Sequence, residues 1–104
     1  MYRQGDVLII PVRSIPEACK EMKLENGRVV LAHGEVTGHA HAIGRREAVM
    51  FRDSVGGAGT FIKVGDKGAQ VKHEEHSTIA LAPGNYEIVR QREYSPEAIR
   101  NVAD

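Results

Sequence analysis

The 104-residue sequence has almost no means of covalent cross-linking. Cys19 is its only cysteine, so an intrachain disulfide is excluded and a reducing compartment is the natural setting. Net charge is missing as well. Fourteen Lys and Arg offset fourteen Asp and Glu, so no overall field would draw the chain onto nucleic acid or an anionic membrane, and any such site would have to be a local patch. Long apolar runs are also lacking. In "MYRQGDVLIIPV", Asp6 precedes a short apolar run that Pro11 breaks, which fits neither a signal peptide nor a membrane span. The expectation is a cytoplasmic protein. No repeat, low-complexity tract or linker divides residues 1–104, a length that suits one domain.

What is present is glycine, eleven of them, separating short blocks in which apolar residues alternate or run together. Strands are expected over 6–12, 28–33, 39–43, 48–53, 60–64, 69–73, 78–81 and 85–94. Turn signals at intervals of roughly 8–12 residues point to an all-β fold, a small barrel or sandwich of about seven to eight short strands. Asn26-Gly27 predicts a hairpin, because both residues accept the positive φ of a type I′ turn. "RSIPEACKEM" (13–22) is ambiguous, since Pro16 could open a short helical turn. In "SPEAIRNVAD", Ser95 can cap, Pro96 suits the first helical position and Glu97 favours the positive helix end, which predicts a short C-terminal helix.

All five histidines fall in two patches, "LAHGEVTGHAHAIG" (31–44) and "VKHEEHST" (71–78). Strand alternation places His33 with Val29 and Leu31, His39 and His41 with Ile43, and His73 with Val71, while His76 falls in the opposite phase. A hairpin through "GEVTG" (34–38) would set His33 and His39 side by side, with His41 one pleat further. Several cationic rings gathered on a partly buried face would repel one another, whereas neutral imidazoles around a divalent ion would not. The expected ligands are therefore His33, His39, His41, His73 and His76, holding zinc, iron, nickel or manganese. Glu35, Glu75 or Glu47 could serve as a further ligand or base. Against this stands the plain alternative of hydrogen-bonded core histidines, for a lone His-x-His pair is common. "HEEH" lacks the His-Glu-x-x-His spacing of helical zinc peptidases.

"GEVTGHAHAIGRRE" resembles the first cupin motif, in which a glycine precedes a His-x-His pair and a glutamate follows, and "LAPGNYEI" resembles the Pro-Gly turn of the second. The resemblance implies a small double-sheet barrel with a metal inside, ligated by His39, His41 and Glu47. The last ligand would be His73 or His76, since no histidine follows Pro83-Gly84.

Cys19 has no glycine-framed nucleophile context and reads as an incidental thiol. "SVGGAG" (54–59) lacks the Lys-Ser/Thr of a phosphate-binding loop and reads as a turn. Two functional classes remain. The first is a metal-dependent hydrolase or lyase on a small anionic substrate, with Glu35 or Glu75 as general base and Arg45, Arg90 or Arg92 orienting the anion. The second is a noncatalytic protein- or nucleic-acid-binding module whose surface is strand 86–94, where Tyr86, Arg90, Arg92 and Tyr94 share a face. Nearby glutamates and the zero net charge disfavour nucleic acid there. Free edges on so short a sheet would allow a homodimer.

Overall fold

A computed structural model of the chain describes residues 1–34, 38–53, 57 and 59–91. Ten strands run through them: β1 (Tyr2–Gln4), β2 (Val7–Val12), β3 (Lys20–Glu21), β4 (Arg28–His33), β5 (Ala40–Gly44), β6 (Ala48–Arg52), β7 (Thr60–Val64), β8 (Ala69–His73), β9 (His76–Leu81) and β10 (Gly84–Arg90). They form two antiparallel sheets, ordered β1-β2-β10-β7-β6-β3 and β4-β5-β8-β9. The sheets do not close into one barrel, so the sandwich is the correct member of the expected pair. The two elements the sequence pattern does not show are the shortest. β1 and β3 have three and two residues, too few for a period of two to register. The expected C-terminal helix at 95–104 lies outside the described residues.

One core joins the sheets. Val7, Ile9, Met50, Ile62, Tyr86 and Ile88 of the first sheet pack with Val29, Leu31, Ile43, Val71 and Leu81 of the second. Ile9, Ile43 and Ile62 are almost wholly buried, each stabilising by roughly 1.5–3 kcal/mol relative to exposure. The expected strands rest on this alternation, and most boundaries agree with it. At 13–22 there is no helix; the Cys19 N–H donates to Pro16 O at 3.0 Å, closing a turn ahead of β3. Asn26 (φ 51°) and Gly27 (φ 75°) form the expected type I′ turn, with Glu25 and Arg28 exchanging backbone hydrogen bonds of 2.9 Å. Its arms then part. β3 pairs with β6, not β4, so the turn carries the chain from one sheet to the other.

Two irregularities set the faces of the histidines. The β4–β5 register shifts between Val30 and Ala32, and the β8–β9 register shifts between Val71 and His73. Such a shift exchanges the faces of every residue beyond it. No helix among the described residues is long and apolar enough to cross a membrane.

Candidate functional site

The site lies where the turns of the β1–β2 and β8–β9 hairpins meet β5 and the end of β10. Gly5-Asp6 is the two-residue turn of the β1–β2 hairpin, joining Gln4 to its partner Val7. Glu74-Glu75 is the turn of the β8–β9 hairpin, so His73 and His76 are cross-strand partners. Partners across a two-residue turn share a face, which brings His76 back into phase with His73, contrary to simple alternation. β5 supplies His41 and the end of β10 supplies Arg90. His41, His73, His76, Asp6, Glu75 and Arg90 line a cavity of about 220 Å³.

His41 is 2% exposed, and its surroundings define its proton. Its Nδ1 lies 2.9 Å from Gln4 Oε1. The Gln4 amide nitrogen donates to Val71 O at 3.0 Å and Ser77 O at 2.9 Å, so the facing oxygen must accept. The His41 Nδ1 therefore carries the hydrogen, and Nε2 keeps its lone pair towards the cavity. Burial, then the charge on His73, pushes the His41 pKa down to about 4, against the opposing pull of Asp6. Its Nε2 stands 3.6 Å from Asp6 Oδ1, while Asp6 Oδ2 accepts from Arg90 Nε at 3.1 Å.

Around it the rings are close. The His41 and His73 centroids are 4.3 Å apart, His73 and His76 4.7 Å, and His41 and His76 5.9 Å. His39 meets His73 edge-on at 6.0 Å. Its buried Nδ1 makes no hydrogen bond, although Glu75 Oε2 lies 3.5 Å away. His73 Nδ1 accepts from the Glu75 N–H at 3.0 Å. Glu74 ties the two histidine segments together, accepting from the Ala40 N–H at 3.0 Å; that bond and one from its own amide hold its carboxyl below the usual range. Among the described residues, no group of three or more His, Cys, Asp or Glu is arranged to hold a metal ion as it stands.

Glycine forms two of the walls. A Cβ on Gly5 would stand 2.7 Å from His76 Nε2, and one on Gly34 2.9 Å from His73 Nε2. Any side chain at either position would push a ring aside.

The other expected site residues lie elsewhere. Val30 faces outward by ordinary alternation, packing with Ala40 and Ala42 apart from Val29 and Leu31, and the shift beyond it puts His33 opposite Ala40. His33 follows Val30 to the outer face, where its Nε2 pairs with Glu25 Oε2 at 3.1 Å. The predicted neighbourhood of His33 and His39 is thereby corrected. Glu47, the carboxylate implied by the cupin likeness, accepts from the Gln70 N–H at 2.7 Å, and Arg45 lines a different, largely apolar cavity with Met22 and Met50. Glu35 and Arg92 lie outside the described residues. On the proposed binding strand, Tyr86 is buried and donates to Ala82 O at 2.7 Å, and Arg90 faces Asp6. The described part of that face is turned to the core, not to solvent.

Gln4 and Asp6 are the members that sequence reading missed. The signal was Gly-Asp between two β-prone runs, a two-residue hairpin pattern that places Gln4 and Val7 on one face. No curated protein and no solved structure matches the chain. A family model described as "Domain of unknown function (DUF8820)" matches residues 3–91, and the chain belongs to that family.

Proposed function

We propose that the protein binds a divalent transition-metal ion through His41, His73 and His76, with Asp6 as an oxygen ligand. The observation that carries this reading is the buried His41, held by Gln4 at Nδ1 so that Nε2 is left beside Asp6 in a cavity that His73 and His76 also line. Hydrogen bonding of the remote ring nitrogen is the usual way a ligating histidine is oriented. The ring spacings agree. Three imidazoles bound to one ion at about 2.0–2.1 Å hold their centres roughly 4.5–5.5 Å apart, close to the observed 4.3–5.9 Å. What the cluster lacks is convergence of the nitrogens, which rotation of the less buried His73 and His76 side chains would have to supply. His73 must exchange its hydrogen bond from the Glu75 amide for the ion. Imidazole with carboxylate suits zinc, iron or nickel.

A bound ion would act as a Lewis acid in a hydrolytic or lyase step. Glu75, on the cavity wall and beside His39, is the carboxylate placed to take a proton. Arg90, donating from Nε to Asp6 Oδ2 at 3.1 Å, holds that carboxylate in position.

The test is titration of chelator-treated protein with zinc against a chromophoric competitor. One site per chain is expected, lost in His73→Ala/His76→Ala, whose side chains are not in the deep core. Zinc uptake that this variant leaves unchanged would refute the assignment.

A further inference from the structure

A second cavity adjoins the histidine site and shares Arg90 with it. It measures about 450 Å³, within the range of about 300–1,000 Å³ usual for small-molecule pockets, whereas the histidine cavity is smaller than that range. The histidine cavity could house an ion and a reacting group, but a substrate's body needs more room.

The lining of the larger cavity is two-sided. Leu31, Met50 and Ile88, all from the inner faces of the sandwich, give it an apolar floor. Lys23, Arg52 and Arg90 stand around it. Glu25 is the one carboxylate among the described lining residues, and it is engaged by His33 at 3.1 Å. Arg52 Nε donates to Thr60 Oγ1 at 3.3 Å, which steadies the guanidinium beside the opening. Arg90 uses Nε for Asp6, and its two terminal nitrogens carry four further N–H donors that hydrogen-bond to no side chain among the described residues.

From this juxtaposition we infer that the cavity binds the body of a small amphipathic organic anion, a carboxylate or phosphate with an apolar chain, between Lys23, Arg52 and Arg90. The apolar part covers Leu31, Met50 and Ile88, and the anionic group meets the cations. Arg90 marks the passage to the histidines. That the bound molecule then reacts there rests on the metal-site reading; where the anion sits does not.

The test uses hexanoate as probe and hexanol as its neutral counterpart, titrated into the isotope-labelled full chain without metal and again with zinc. Hexanoate is expected to shift the amide resonances of Lys23, Arg52, Thr60 and Arg90, and hexanol to bind at least about tenfold more weakly. The variant Lys23→Gln/Arg52→Gln changes two exposed side chains, and it should raise the hexanoate Kd about tenfold or more with zinc binding intact. Equal binding of hexanol, absent shifts at these amides, or hexanoate binding unaltered in the double variant would each overturn the inference, even where zinc binds normally. Failure of zinc to bind while hexanoate still shifts these signals would refute the metal site and leave the anion cavity standing.

Discussion

Burying an imidazole that stays neutral requires a partner for its one N–H, and at His41 that partner is Gln4 Oε1. Gln4→Leu keeps the volume and removes the acceptor. Zinc affinity should then fall about 10–100-fold, with a stability loss of about 1–3 kcal/mol from the unpaired His41 N–H and the two carbonyls left behind; competition titration and denaturant unfolding read the two effects. The same burial makes the metal-free protein acid-sensitive. Unfolded, His41 takes up a proton near its ordinary pKa of 6.5; folded, only near 4. Between these values the unfolded chain holds more protons, so stability is full above about pH 6.5 and declines as the pH falls towards 4, by on the order of 3 kcal/mol. Unfolding curves at pH 7 and pH 4.5 should show this loss in the parent and a smaller one in His41→Gln. His41 was legible in the sequence, because alternation with Ile43 puts it on the inner face. Gln4, a single amide within a three-residue strand, leaves no periodic trace, and only the Gly5-Asp6 turn pointed to its face.

At the scale of elements, the site depends on hairpins and on two register shifts. Strand existence could be read from glycine spacing and alternation, and Asn26-Gly27 from its φ requirement. Alternation alone could not give the faces of His33 and His76, because a shift of one residue reverses parity and no residue type announces it. "HEEH" is the exception, for a two-residue turn always sets its flanking residues opposite each other. The glycines give the sharpest test at this level. Gly5 (φ +59°) and Gly27 (φ +75°) both hold the left-handed conformation, but a Cβ meets His76 at the first and nothing at the second. Alanine at either should cost about 1–2 kcal/mol of backbone strain. Only Gly5→Ala should also weaken zinc binding, and equal zinc affinities in the two variants would show that His76 is not a ligand.

Across the whole molecule, the buried polar residues described, Gln4 and His41, sit together at the mouth lined by Asp6, Arg90, His73 and His76, while the core is apolar. Filling that mouth with an ion should tie both sheets together, since Asp6 belongs to one and His41, His73 and His76 to the other. Binding to the folded state alone stabilises by mass action, about 2.7 kcal/mol at a free ion concentration one hundred times Kd. A zinc-dependent rise in Tm that chelator reverses is therefore expected, and it should be absent in His73→Ala/His76→Ala. The most direct measurement is elemental analysis by mass spectrometry of untagged protein, purified without chelator, with that double variant in parallel. Close to one transition-metal ion per chain in the parent and almost none in the variant is the expected result. A parent that carries no metal and takes up none when zinc, iron, nickel or manganese is supplied would contradict the proposed site.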